Sequence, residues 1–426
     1  MKKSCFVLGV LSLVVLLTSF AHATDGYFPI GYGVIAGGMG GAATATAADA
    51  MGGANNPAGM VWAGERLDVG LFWFNPHRSA TRYGTNFPTM NGTSTSETDE
   101  FFIPDFGYNH MINPNLSIGV SVYGNGGMDT HYPNGGFNFG RGNANVLGGS
   151  GSAGVDLMQL VIAPTVSWKF HPHHSVGIAP LLAYQGFRAE GLQAFSAYSR
   201  DPSCLTNRGA DGSIGAGVRI GYLGRLTDSF SIGASYSTPV WMGSFTKYRG
   251  LFAQGGSFDI PQNWSVGIAA RPAKNFQVAL DYQRIMYSQV PAIGNPSSQI
   301  LTGAMLGDPN GPGFGWKDVG AIKLGLQYEH NDQWTFRAGY AHCDNPVRSQ
   351  DVTFNILAPG VVQDHFTVGA SYTFSKGSTL NCSYMYACGN SVTGPSLFNN
   401  FPPVSGSAET IKMHQNEFGL SYTARW

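Results

Sequence analysis

The chain is short of charge in both signs. Of its 426 residues, 24 are Lys or Arg and 25 are Asp or Glu. Without a basic surplus no nucleic-acid partner is expected. Past residue 20 no apolar run approaches the roughly 20 residues that a membrane-spanning helix needs. There is no CxxC, no cysteine and histidine cluster with zinc spacing, and no P-loop. Together these absences exclude a helical membrane protein, a zinc module and a nucleotide-driven machine, and no metal or cofactor is expected. In their place stand 59 glycines and 13% aromatic residues, a balance foreign to an ordinary soluble enzyme.

The first residues read as an export leader. Lys2 and Lys3 precede an uncharged apolar run, and Ala21-His22-Ala23 supplies the small residues of a cleavage site. The leader is expected to span residues 1–23, with the mature chain starting at Thr24. Four cysteines then remain: Cys204, Cys343, Cys382 and Cys388. On a straight strand Cys382 and Cys388 would lie about 20 Å apart, too far to pair unless the chain turns between them. Their pairing stays open.

The dominant signal is a period of two. Phe418, Leu420, Tyr422, Ala424 and Trp426 alternate with Gly419, Ser421, Thr423 and Arg425, and Ile322, Leu324, Leu326 and Tyr328 alternate with Ala321, Lys323, Gly325 and Gln327. Each stretch is a strand with one apolar face and one polar or small face. The links between strands alternate in length. Tight links occur at 113–115, 227–229, 273–275, 330–332 and 375–377. Long, glycine-rich links fall at roughly 75–101, 124–153, 188–211, 243–258, 288–315, 343–362 and 388–412. Tight turns on one side and long loops on the other are the asymmetry of a transmembrane antiparallel β-barrel. Counting from Arg66 gives about fourteen strands, an even number that allows closure, and closure satisfies every backbone group in lipid.

One face of these strands carries Gly, Ser, Ala and Thr, with sparse charges at Lys169, Arg219, Asp281, Lys323 and Arg337. A lumen so smooth has room for water or for a piece of the chain itself. Residues 24–65 are too rich in glycine to form a core of their own and too apolar for a solvated tail, so they are expected to plug the barrel of 66–426. Within them "AADAMGGANNPAGM" places Asn55 and Asn56 to bond nearby backbone, while Pro57 holds Asn56 extended. An ordinary turn before a strand accounts for it as well.

The N-terminal Gly/Ala stretch ending in Asn56-Pro57-Ala58, together with "DIPQNWSVGIAARPAKNFQVALDYQRI", "GFGWKDVGAIKLGLQYEHNDQWTFRAGYAHCDNPV" and "HFTVGASYTFSKGSTLNCSYMYA", resembles the FadL family of outer-membrane long-chain fatty acid transporters. The resemblance implies a fourteen-stranded barrel with an N-terminal hatch, passing hydrophobic molecules down a gradient into the bacterial outer membrane. It further implies capture of ligand on a long external loop, here 124–153 with Met128, Tyr132, Phe137, Phe139 and Leu147. A pocket floored by the hatch would follow. Lateral exit would use a kink in the third strand, residues 116 to 123, with Gly119 and Gly124 as cheap places to bend. Tyr27 and Phe28 are similar to the aromatic start of the family's hatch, which with Asn55, Asn56, Pro57 and Ala58 gives the gating set. Fatty acids, alkanes and aromatic hydrocarbons all suit such a route, with lipid and lipopolysaccharide around it. A monomer is expected, with the barrel-assembly machinery engaging the strand that ends in Trp426.

Rival readings are weaker. Arg219, Lys323 and Arg337 could hold a substrate carboxylate, but pairing with hatch acids such as Asp49 and Glu65 is preferred. His171, His173 and His174 form a polar turn in preference to a metal site, because no carboxylate or thiolate lies near them in sequence. An outer-membrane lipid hydrolase would need a serine paired with outward-facing His342, and none of matching parity stands out, so an enzyme is not expected. A porin for polar solutes would carry opposing rows of charge in its lumen, which these walls lack.

Overall fold

The computed structural model describes residues 24–426 apart from Arg141 and Lys376; the expected leader lies outside the described residues. Fourteen long strands form one antiparallel barrel: β1 Arg66–Tyr83, β2 Phe101–Asn113, β3 Leu116–Tyr132, β4 Ala153–His171, β5 His174–Glu190, β6 Asp211–Thr227, β7 Phe230–Ser237, β8 Asn263–Ala273, β9 Phe276–Ile285, β10 Val319–Glu329, β11 Trp334–Cys343, β12 Asp364–Ser375, β13 Ser378–Pro395 and β14 Ala408–Arg425. Each strand pairs with the next, and β14 returns to pair with β1 from Arg66↔Arg425 to Tyr83↔Ala408, closing the cylinder.

The period of two explains which way the side chains point. In β14 Phe418, Leu420 and Tyr422 are exposed while Ser421 and Thr423 are buried. The same holds around the cylinder: Ile178, Ile220, Ile268, Ile322, Phe366 and Val368 all face out. A soluble protein would not present so large an apolar band to water; lipid is the solvent that fits it.

Several strands outrun the expectation. β1 continues through Tyr83 where a loop from 75 was expected, β3 reaches Tyr132, and β13 runs to Pro395. Their outer halves are polar and glycine-rich, so they lack the outward hydrophobic period, yet Asn75 to Tyr83 stays in ladder with 408–416. Hydrogen bonding between neighbours continues the wall where lipid no longer selects side chains. The observed long connections are therefore 84–100, 133–152, 191–210, 238–262, 286–318, 344–363 and 396–407.

Residues 24–65 form no long element. They carry a helical turn at Val34–Gly37, a 3₁₀ turn at Pro57–Gly59 and a second helical turn at Met60–Ala63, and nearly all are buried inside the barrel. The wall is smooth because this segment touches it. A Cβ on Gly221 would lie 2.0 Å from Asn56 Oδ1, and one on Gly339 2.1 Å from the Gly40 nitrogen. Only glycine permits the backbone to approach that closely.

Candidate functional site

The hatch is fastened at three levels. At its base Asn56, extended at φ −145° and ψ 107°, caps the Pro57–Gly59 turn by accepting from Ala58 N at 3.1 Å. Its amide donates to Thr44 O at 2.7 Å and to Tyr222 O on β6 at 2.9 Å. Asn55 closes a local loop, accepting from Tyr32 N and donating to Tyr32 O. The Ala58 carbonyl accepts from Ser167 and Ser175 of the wall. Thus the Asn-Pro-Ala element is both a turn and a wall anchor.

In the middle, wall side chains grip hatch backbone. Asp281 accepts from Ala43 N at 2.8 Å and Thr44 N at 2.7 Å, and Asp68 accepts from Ala50 N at 2.8 Å. Arg219 donates to the Gly53 and Ala54 carbonyls and to Tyr123. Lys323 forms an ion pair with Asp25 at 2.8 Å and donates to Ile30 O and Gln283 Oε1, so it has three local partners. The hatch acid in this pair is Asp25, in place of the expected Asp49 or Glu65. Asp49 accepts from Met51 N, and Glu65 sits at the rim with His110, the Met111 nitrogen and Trp426. Asp25 is delivered to β10 by a backbone bridge to Phe28 that sequence spacing does not reveal. Arg337 bonds Gln327 and Ser371 of the wall, and Lys169 lies 3.9 Å over the Trp62 ring.

At the top, Tyr27 and Phe28 enter an aromatic box that the sequence reading missed. The Tyr287 hydroxyl accepts from Tyr27 N (3.1 Å) and Phe28 N (3.3 Å) and donates to Asp25 O (2.6 Å). Tyr27 packs on Tyr287 at 5.1 Å and Trp316 at 6.1 Å between ring centroids. Burial pushes the Tyr287 phenol well above its ordinary range, and the nearby Tyr27 adds to it, so the hydroxyl stays neutral and keeps its proton for Asp25. Tyr287 and Trp316 belong to the 286–318 connection, whose irregular sequence carries no period to signal them.

Beside this box the wall is interrupted. The β2–β3 ladder ends at Phe106↔Val122, although β2 continues back to Phe101 and β3 on to Tyr132. On the other edge of β3 the pairing with β4 slips between Gly124 and Gly126, leaving Asn125 as an extra residue. The irregularity falls at Gly124; Gly119 is in regular register with Asn109 and Thr165. Tyr27 O lies against this bulge, accepting from Gly127 N at 3.4 Å.

Above the hatch a small apolar cavity lies among five of the long connections, lined by Leu147, Leu192, Phe195, Leu251, Phe354 and Leu357 among others. Its lining contains no ionisable side chain. The expected capture residues prove not to be a loose loop surface. Met128 and Tyr132 belong to β3, while Tyr132, Phe137 and Leu147 are buried in the outer core and Phe139 packs against it. Of the five, Leu147 lines this cavity, and Met128 lines a second, smaller space beside Tyr27 and Trp316.

His171, His173 and His174 form the tight β4–β5 turn, with His174 Nδ1 2.7 Å from the Tyr222 hydroxyl. His342 faces outward and contacts Asp364 at 2.8 Å, with no serine beside it in its hydrogen bonds. All four described cysteines are free. One grouping could not be seen in sequence spacing: Asp25, Cys343 and His365 bring three atoms of metal-binding type within 4.8 Å of one another, all buried.

A closed barrel, apolar outside, filled by its own N-terminal segment and roofed by an apolar cavity, defines an outer-membrane β-barrel of the plugged kind. The family described as outer membrane protein transport protein (OMPP1/FadL/TodX) matches residues 32–395. The chain belongs to this family, which is one of outer-membrane transport proteins and not of enzymes. It is 28% identical over 149 residues to the long-chain fatty acid transport protein of Salmonella typhi, a match covering 34% of this chain and 32% of that protein. The chain thus matches about a third of that relative's length. Among solved structures it is similar to the Pseudomonas putida toluene transporter TodX, with a TM-score of 0.69 at 18% identity over 93% of this chain and 99% of that one. A Pseudomonas aeruginosa FadL homologue gives a TM-score of 0.68 at 14% identity, over 94% and 99%. At such identities the likeness is one of fold.

Proposed function

We propose that this chain is a passive outer-membrane channel for hydrophobic molecules. Ligand enters the apolar cavity among the long connections, passes to the hatch beside Tyr27, and leaves sideways where the β2–β3 ladder stops. The observation that carries the reading is the contiguity of apolar cavity, aromatic latch and interrupted wall: Leu357 lines both the cavity and the space beside Tyr27, and Tyr27 O accepts from Gly127 N at the bulge. The drive is partition, since each methylene gains about 0.8 kcal/mol on leaving water. Within this reading Tyr27, Phe28 and the Asn55 to Ala58 segment gate, and Gly124 supplies the bend. In the same reading the chain acts as a monomer, and its assembly machinery engages the strand before Trp426.

Long-chain fatty acids are the substrates the sequence resemblance suggests. A second reading, uncharged hydrocarbons, is favoured by the cavity itself: no cation lines it, and Lys323 below already has three partners. Uptake of radiolabelled oleate and toluene by a Gram-negative host lacking its own fatty-acid channel separates the two. Uptake of toluene alone supports the uncharged class, uptake of oleate restores the fatty acid, and uptake of neither refutes the channel.

A further inference from the structure

We propose that Asp25, Cys343 and His365 form a transition-metal site, suited to Zn²⁺, that joins the hatch to the barrel wall. Cys343 ends β11 and His365 is the second residue of β12. Ala341 pairs with His365 in the ladder and Cys343 N donates to Gln363 O, so the two side chains sit diagonally on the same inner face. The hatch then lowers Asp25 onto them.

Three properties distinguish this group from a chance meeting of polar residues. First, thiolate, imidazole and carboxylate are the donors that select a tetrahedral zinc-like ion, and three protein ligands leave a fourth position open. Ligand atoms in such a shell stand about 3.5 Å apart, and here all lie within 4.8 Å, so closing onto an ion needs only small side-chain shifts. Second, both ring nitrogens of fully buried His365 lack a well-formed hydrogen bond, the backbone of its ladder partner Ala341 being the polar group that faces the ring. A buried imidazole left so is costly unless something else engages it. Third, the Cys343 thiol meets two backbone carbonyls, Thr24 O at 3.4 Å and Val362 O at 3.5 Å, and faces the Asp25 carboxylate, weak sulfur contacts that a thiolate bond to a metal would replace.

Lys323 does not block the site. It lies 2.8 Å from Asp25 Oδ2, and neither oxygen of that carboxylate has a well-formed hydrogen bond. With an ion on Oδ1, Lys323 becomes the outer partner that orients the carboxylate, as hydrogen-bonded second partners do in metal sites. Binding releases the Cys343 proton to solvent, and the thiolate and the Asp25 carboxylate offset the ion's two charges, leaving the Lys323 cation as the site's net charge.

Co²⁺ is the probe, because a thiolate ligand gives it a sulfur-to-metal charge-transfer band that imidazoles and carboxylates do not. The full chain, purified in detergent and stripped with a chelator, should develop this band on adding one equivalent of Co²⁺ and should retain one Zn²⁺ per chain in equilibrium dialysis. Cys343→Ser should abolish the band, and His365→Gln should weaken Zn²⁺ retention by about 100-fold or more. Replacing His171, His173 and His174 by Gln should leave both unchanged. Absence of the band in the unsubstituted chain overturns the proposal, as does a band that survives Cys343→Ser or one that is lost with the three turn histidines. Because neither readout involves transport, failure of this site and failure of the channel reading are separate results.

Discussion

Removing one oxygen should unfasten the hatch. Tyr287 holds the N-terminal end of the segment through two accepted hydrogen bonds and one donated bond, all buried. Tyr287→Phe keeps the ring packing against Tyr27 and Trp316 but strands two N–H groups and a carbonyl. At about 1 kcal/mol for each bond, with a further penalty where no water reaches the orphaned group, the loss is about 2–4 kcal/mol. That corresponds to a rise of roughly 30- to 1,000-fold in the population with the hatch end released, at a factor of ten per 1.4 kcal/mol. Cys343 is a built-in reporter, because its sulfur is fully buried directly under Thr24. In a background with Cys204, Cys382 and Cys388 changed to Ser, and with chelator present, the rate of Cys343 labelling by a water-soluble maleimide should rise by at least 30-fold. An unchanged rate in a folded Tyr287→Phe protein would refute the latch.

Three further outcomes are expected. Asn56→Ala leaves the Thr44 and Tyr222 carbonyls and the Ala58 N–H without their partner, so thermal unfolding in detergent should show a loss of about 2–4 kcal/mol. Gly339→Ala places a methyl 2.1 Å from the Gly40 nitrogen; the hatch cannot seat against it, and planar-bilayer recordings should show a steady ionic current that the unsubstituted chain lacks. Leu192→Lys puts a charge into a lining that has none, so toluene uptake should fall by about tenfold or more, and unaltered uptake would remove this cavity from the route.

How legible this was in the sequence depends on what imposes order on each region. Where lipid selects every second side chain, as in Phe418 to Tyr422, the strands could be read directly. Above the membrane that selection ends, and the continuation of β1 through Tyr83 is written in backbone pairing with β14, which leaves no composition signal. The hatch was legible as a misfit, a glycine-rich apolar segment without a core of its own, and Asn56 and Pro57 as its turn. Its partners were not. Asp25 reaches Lys323 across 298 positions through a bridge to Phe28, and Tyr287 and Trp316 come from an irregular connection. The capture residues were recognised as apolar, but Tyr132, Phe137 and Leu147 are packed into a shared outer core, because seven long connections folded together bury what one loop alone would expose. Likewise Asp25, Cys343 and His365 have no spacing that a motif could match; only the seating of the hatch brings them together.

The central claim is that a lumen filled by its own N-terminal segment admits hydrophobic molecules and excludes water-soluble ones. The most direct measurement sets toluene uptake beside ingress of a small polar solute in the same host cells, with the intact chain and with residues 24–60 deleted. The account predicts toluene uptake without polar ingress for the intact chain, and polar ingress once the segment is removed. Polar ingress through the intact chain, with toluene uptake no faster than in cells without it, would contradict the account and leave an open pore.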